Sequence, residues 1–345
     1  MNASAALRAS FYGPAGPLGP SPADLLRARR RATVADVEAL GKRQTIVPVD
    51  YANYSSQCRK IKEEAGEESI FDVEPMPEPP SVLDQIGRMI TIWPYRDANW
   101  VIAILFIVGS IVFTVNGFFG LLPLLDPATA LPAEALYVVP VLNILGAAHF
   151  LTGGTLSLVA SWNADKGEYE PVDIMTEGGV TKTYKPALLG SRAWSWRPSA
   201  ADLRALIRTP PFLSSLVQSF GGLILTVSVV SGWPGIISPE DIFSMQLFLF
   251  GPLTIGGFLF FFANMSLLIW MQDRWYKPKW GEAGWQSAFW SSVGSFNFAY
   301  TGITLFTGDF LTSSIASFIG SWTFLLGAVI QWYDLMAFHP DAWAA

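Results

Sequence analysis

Long apolar runs dominate the chain after residue 99, whereas residues 1–98 contain none. An α-helix needs about 20 apolar residues to cross about 30 Å of hydrocarbon. Six stretches reach this length without Asp, Glu, Lys or Arg, a succession that is improbable for buried helices of a soluble protein. They are residues 100–119, 136–162, 212–231, 244–271, 285–306 and 311–332. The pattern predicts an all-α fold, a six-transmembrane-helix bundle.

The first 98 residues are rich in Pro, Ala, Glu and Arg, and this composition predicts a disordered tail. Residues 1–35 carry five Arg and a single acidic residue, Asp24, a balance that is also typical of an organellar transit peptide. A cytosolic tail is the interpretation we favour. The expected domains are therefore the tail, residues 1–98, and a membrane domain, residues 99–340.

Basic residues occur on only one side of the predicted spans. All 22 Lys and Arg lie in the tail and in loops 163–211 and 272–284, whereas loops 120–135, 232–243 and 307–310 carry only acidic charge. Lys and Arg are retained on the cytoplasmic side during membrane insertion. We therefore expect both termini in the cytosol, with a plasma membrane or endomembrane favoured over an organellar one.

Composition narrows the classes of protein that remain. The chain is 51% hydrophobic and 14% charged, and its net charge of -6 gives no basic surface for nucleic acid. One Cys and two His cannot form an internal disulfide or a Cys/His zinc site. Neither a cofactor nor a metal is expected.

Two spaced patterns alternate along the spans and predict an internal repeat. Odd-numbered spans share a pattern that begins with Gly-Ser or Gly-Gly, and even-numbered spans share Gly-x3-Phe-Leu-x-Gly. The odd copies run from Gly109 to Gly117 and from Gly294 to Gly302, with a weaker copy at Gly221; the even copies run from Gly146 to Gly153 and from Gly320 to Gly327, with Thr254-x3-Phe258-Leu259 as the divergent copy. We predict one helical hairpin used three times, at residues 100–162, 212–271 and 285–336.

The glycines of these patterns are expected at contacts between helices. Lipid offers little hydrophobic gain for joining helices, so close backbone approach over small residues and Ser or Thr hydrogen bonds must hold them together. The predicted packing residues are Gly109, Gly117, Gly146, Gly153, Gly221, Gly294, Gly302, Gly320 and Gly327.

The same patterns resemble those of the YrhK-like family of membrane proteins. Gln218-x-x-Gly221-Gly222 matches the form of one family helix, and Gly320-Ser321-x-x-Phe324-Leu325 matches the helix that follows it. The resemblance covers roughly residues 100–335, and the family's aromatic-Arg-Pro entry has its counterpart only in Trp196-Arg197-Pro198. It implies a multi-helix bundle and brings no reaction or catalytic residue with it.

Three polar residues within the spans are candidates for function: His149, Gln218 and Asn297. An ionisable or amide side chain in hydrocarbon often marks a polar path, but hydrogen bonding between helices is the commoner use of such groups. Both interpretations stay open for each of them at this point.

The spans contain no clustered carboxylates, His or Lys for acid–base or metal chemistry, so we predict that the protein is not an enzyme. The favoured function is that of a structural or lipid-organising membrane component. The alternative is a passive pore or carrier for a small neutral solute. Membrane lipid is the expected partner, nucleic acid is not, and self-association of the chain stays open.

Overall fold

The computed structural model describes residues 81–337 except 132, 165, 173–180, 186 and 273. Predictions about residues 1–80, including a transit peptide, lie outside the described residues. The helices are α1 (Val82–Thr91), α2 (Ala98–Leu125), α3 (Val139–Ser161), α4 (Ala200–Leu206), α5 (Pro210–Ser231), α6 (Ile242–Trp270), α7 (Ala283–Phe306) and α8 (Phe310–Ala337).

The membrane bundle is entirely helical, but the basic loop between α3 and α5 departs from the all-α prediction. It contains a short antiparallel ribbon, β1 (Glu168–Val172) and β2 (Thr181–Lys185). Glu168 lies opposite Lys185 and Val172 lies opposite Thr181. The ribbon belongs to the polar loop and leaves the helical bundle unchanged.

Five of the long helices are long and apolar enough to cross a membrane: α2, α3 with the turn before it, α5, α6 and α8. These confirm a multi-pass membrane protein. Helix α7 has 24 residues and lacks charge, but its many Ser, Thr, Asn and Gln residues keep it out of this set.

Helix α1 lies within the segment that the sequence predicts to be a disordered tail. Its ten residues place Asp84 in the first turn and Arg88 in the last, which suits the helix dipole. Met89 is buried in a cluster with Trp100 of α2 and Met336 of α8. Tertiary packing on the bundle therefore orders a segment whose composition alone favours disorder.

The six long helices form a closed ring in chain order, α2–α3–α5–α6–α7–α8, and α8 completes the ring by packing against α2. Contacts along each pair run in opposite directions in sequence, so neighbouring helices are antiparallel. At the closing interface, Phe318 of α8 lies against Gly117 of α2. Each helix therefore presents one face to a common central axis.

Glycine and a large apolar side chain pack reciprocally within each consecutive helix pair. In all three pairs, a glycine of the first helix faces a Phe of the second, and a glycine of the second faces a Phe or Leu of the first. The pairs are Gly109–Phe150 and Gly146–Phe113, Gly221–Phe260 and Gly256–Leu225, and Gly294–Phe324 and Gly320–Phe298. In the second pair, the sequence pattern predicts these contacts at Thr254 and Phe258. The structure places them two residues later, at Gly256 and Phe260.

All nine glycines singled out in the sequence lie against another helix. A Cβ atom placed on any of them would come within 3.2 Å of an atom of a neighbouring helix. At Gly302 that neighbour is Thr254, and at Gly327 it is Ser291. Only glycine allows the helix axes to approach this closely at these positions.

A carboxylate near the end of α8 is explained by helix capping. Asp334 accepts a hydrogen bond from the backbone N–H of Gly284, in the first turn of α7. The residue before α7, Glu282, supplies no side-chain cap of its own. Asp334 thus satisfies an otherwise unpaired N–H at the positive end of the helix dipole.

We predict that Gly257→Ala destabilises the bundle, whereas Gly154→Ala does not. A Cβ on Gly257 would lie 2.5 Å from the backbone nitrogen of Ala299, which a side-chain rotation cannot relieve. Overpacking of this kind costs about 1–3 kcal/mol. A Cβ on Gly154 meets nothing within 4 Å, so this variant gains up to about 1 kcal/mol of helix propensity. Thermal unfolding of both purified variants in detergent makes the comparison; equal melting temperatures would contradict the close approach of α6 and α7.

Candidate functional site: a cavity inside the helical ring

The ring of long helices surrounds a cavity of about 340 Å³. This volume lies within the usual range of small-molecule sites. Each of the six helices contributes at least three lining residues. A bundle that served only to pack helices together would have its centre filled by side chains, as protein interiors usually are.

The cavity lies in the half of the ring nearest the acidic loops. Its walls come from the C-terminal parts of α2, α5 and α7 and from the N-terminal parts of α3, α6 and α8. These ends all join the loops that lack Lys and Arg. The cavity therefore lies toward the side that the charge pattern predicts to face away from the cytosol.

Small residues create the space. Gly117 and Gly120 line it from α2, Ala147 from α3, and Ser313 and Ser317 from α8. A Cβ placed on Gly120 would meet no atom within 4 Å. The lining thus combines an apolar wall with scattered hydroxyl and amide groups.

An amide pair provides the most defined polar feature of the wall. The Nδ2 group of Asn116 donates a hydrogen bond to Oδ1 of Asn143 at 2.9 Å, which joins α2 to α3. The Oδ1 atom of Asn116 is buried without a hydrogen-bond partner in the described part of the chain. An unpaired buried carbonyl oxygen is costly unless a ligand or water donates to it.

No residue that lines the cavity carries charge, and none is His. An ion entering this space would lose its hydration without a compensating partner, which is strongly unfavourable. The site therefore suits a neutral molecule. Among the described residues, no group of three or more His, Cys, Asp or Glu could hold a metal ion.

Four phenylalanines close the cavity on the side of the basic loops, and we name them the phenylalanine floor: Phe113, Phe150, Phe298 and Phe324. Their rings form a cycle, with centroid distances of 5.5 Å for Phe113–Phe150, 5.2 Å for Phe150–Phe324, 5.6 Å for Phe298–Phe324 and 5.6 Å for Phe113–Phe298. Each of the four also packs against a glycine of its own helix pair. The contacts that hold these hairpins together thus also position the floor.

Of the three polar candidates from the sequence, the structure places only Gln218 near the central axis. Gln218 lines a second, much smaller pocket beyond the floor, together with Gln331. His149 has its Nδ1 atom 2.7 Å from the carbonyl oxygen of Leu145, one turn earlier in its own helix. Asn297 likewise donates to Val293 in its own helix. Neither His149 nor Asn297 lines the cavity.

Sequence reasoning missed Gln331, because it lies near the end of the last span, where polar residues are common. Its side chain is buried with 4% exposure. Gln331 precedes Asp334 by three positions, and a polar residue so close to a charged one at a helix end is typical of the boundary between membrane and water. Only the register of α8 in the ring shows that it faces inward.

Comparison of the chain with protein-family models, with curated proteins and with solved structures gives no match. The resemblance to the YrhK-like family stays a prediction that rests on the motifs alone.

We predict that Asn116 and Asn143 are energetically coupled. A double-mutant cycle with Asn116→Ala, Asn143→Ala and the double variant should give a coupling of about 0.6 kcal/mol or more, the usual strength of a hydrogen bond between membrane helices. Unfolding of the four proteins in mixed micelles by denaturant supplies the free energies. Additive effects would mean that the two amides do not bond to each other in the membrane.

Proposed function

We propose that this protein is an integral membrane protein with six spans whose central cavity binds a small neutral solute and takes part in its passage across the bilayer, as a passive carrier or pore. The observation that carries the proposal is the cavity of about 340 Å³ to which each of the six long helices contributes. A purely structural or lipid-organising bundle has no need of such a space at its centre.

The count of six spans is supported by the length and the contacts of α7. Its 24 residues are about 36 Å long as helix, enough to cross the hydrocarbon. Many of its polar side chains donate to carbonyl oxygens of the same helix, and others bond to neighbouring helices: Ser287 donates to the carbonyl oxygen of Gly327 at 2.8 Å, and Ser295 accepts from Asn264 at 3.1 Å. These groups do not need water, so low hydropathy does not prevent α7 from spanning.

We further infer that the three hairpins are copies of one unit. The support is a contact pattern that recurs in each hairpin. A glycine of the first helix packs against a Phe of the second helix, and the Phe or Leu four residues after that glycine packs against a glycine of the second helix. Three copies around an axis form a closed ring in which every copy contributes to the wall of the cavity. Transport proteins commonly bind solute where such internal repeats meet.

The chemistry of the wall defines the class of solute. A mostly apolar lining with an unpaired acceptor on Asn116 suits a small uncharged molecule that has at least one hydroxyl or amide donor. Ions and zwitterions are disfavoured because no opposite charge is present to replace their hydration.

Both termini are proposed to face the cytosol, and the single Cys58 in the tail provides a test. A membrane-impermeant maleimide applied to intact cells should leave Cys58 unlabelled and should label it after permeabilisation. Ser238→Cys in a Cys58→Ala background lies in an acidic loop and should give the opposite result. Labelling of Cys58 in intact cells would contradict this orientation.

Solute passage is tested by reconstitution into liposomes, with glycerol and urea uptake followed by light scattering. We expect the native protein to raise permeability to at least one of them, and Ala147→Trp, which fills the cavity, to abolish the increase. The adjacent Ala148 is exposed on the outside of the ring, so Ala148→Trp is the matched control and should behave as the native protein.

Should Ala147→Trp fail to fold, Ser317→Leu obstructs the same cavity with a smaller change from α8. His149→Gln serves as a further control, since His149 does not line the cavity. If liposomes that contain the native protein are no more permeable to glycerol or urea than empty liposomes, transport of these solutes is contradicted and the structural role is favoured.

A further inference from the structure

Two cavities lie along the axis of the ring and share two walls. Phe150 and Phe324 line both the large cavity and a pocket of about 10 Å³ on its basic-loop side. Their rings meet edge to face, with centroids 5.2 Å apart and planes at 79°. Both side chains are buried, at 8% exposure each. These two rings form the partition between the two spaces.

Phe106 and Ala328 line the small pocket beside the two rings, and three polar residues complete its wall. Gln218 and Gln331 line it with Ser291, and all three side chains are less than 5% exposed. The Nε2 group of Gln331 is buried and has no hydrogen-bond partner in the described part of the chain. A donor buried without a partner is costly, and natural proteins keep such groups where a ligand or an ordered water accepts from them.

The size of the small pocket fits one water molecule in the present arrangement of the rings, because a water needs about 10–15 Å³ of accessible space and two to four polar partners. A larger molecule would require the rings to move. The rings of Phe150 and Phe324 have room to move toward the large cavity, because the space on that side is empty.

We propose that Phe150 and Phe324 form a gate on the solute path and that Gln218 and Gln331 form a second binding position beyond it, which takes the hydroxyl or amide group of a small neutral solute. The inference rests on the proposed function. A hydrophobic constriction between two wet spaces blocks flow by excluding water, and separation of the rings removes the block.

The glutamines suit this role for a chemical reason. Each carboxamide presents both donor and acceptor groups, so the pair can bond to a hydroxyl or to a urea-like amide with equal ease. A charged side chain in place of either amide would favour the binding of an ion over that of a neutral solute. The solute thus meets an unpaired acceptor at Asn116 in the cavity and an unpaired donor at Gln331 beyond the gate.

The gate is tested first by chemical access, which does not depend on transport. Ser291→Cys in a Cys58→Ala background places a thiol in the small pocket. In liposomes, methyl methanethiosulfonate, a small uncharged reagent that crosses lipid, should modify this thiol slowly while the two rings are in contact. Adding Phe324→Ala should raise the rate about tenfold or more. Adding Phe260→Ala, which removes a buried ring that packs on Gly221 in the same way but does not line the small pocket, should leave the rate unchanged; an equal rise in both variants would mean that loosened packing, and not a gate, gives access.

Flux then tests the second binding position. We expect Gln331→Leu to lower glycerol flux about fivefold or more, the usual effect of losing one hydrogen bond of this kind, and Phe324→Ala to raise it. Gln246→Leu is the matched control, since Gln246 lies in α6 and lines neither cavity.

The outcomes separate the two proposals. If the native protein conducts solute but Phe324→Ala leaves thiol access unchanged, the gate is overturned. If the native protein conducts solute but Gln331→Leu leaves the flux unchanged, the second binding position is overturned. In both cases the proposed function stands. Absence of native flux together with faster thiol access in Phe324→Ala would overturn the proposed function but retain the partition.

Discussion

The contact between a glycine on one helix and a phenylalanine on the next is the interaction on which this bundle depends. Inside lipid, burial of apolar side chains against each other gains little, so helices must approach closely enough for dense van der Waals contact. Glycine supplies a flat surface, and the aromatic ring fills it. Because the contact is returned in both directions within each hairpin, it fixes the separation and the rotation of both helices at once.

The cavity follows from the same arrangement. The rings that pack on Gly109, Gly146, Gly294 and Gly320 reach one level of the axis and meet there as the phenylalanine floor. Toward the acidic loops, many of the inward positions carry glycine, alanine or serine, and the side chains there do not fill the centre. The ring of helices is thus filled by phenylalanine side chains at the level of the floor and stays unfilled between the floor and the acidic loops.

Several features could be predicted from the sequence, because their signals are local. The length of uncharged runs predicts six spans, and five of the corresponding helices are long and apolar enough to cross a membrane. The spacing of glycines identifies residues that lie at helix contacts. Other features depend on tertiary structure. Helix α1 forms because Met89 packs on α2 and α8. Helix α6 meets α5 through Gly256, whereas its Thr254 lies against Gly302 of α7, because the rotation of the helix is set by both of its neighbours. The cavity and the inward direction of Gln331 required the closed ring, since helices that are apolar on every side give no periodic signal of which face points inward.

The polarity of α7 has a consequence for how the chain enters the membrane. A segment rich in Ser, Thr and amide side chains partitions poorly into lipid by itself, since each hydroxyl or amide needs a partner there. Many hydroxyl and amide groups of α7 donate to carbonyl oxygens one turn earlier in the same helix. Its bonds to other helices involve α6, which precedes it, and α8, which is made after it: Asn264 donates to Ser295, and Gly327 accepts from Ser287. Asp334 caps the first turn of α7 from the far end of α8. During synthesis, α7 therefore gains the bond from Ser287 and the cap from Asp334 only when α8 emerges, so the last two helices are expected to leave the translocation channel together as a preassembled pair.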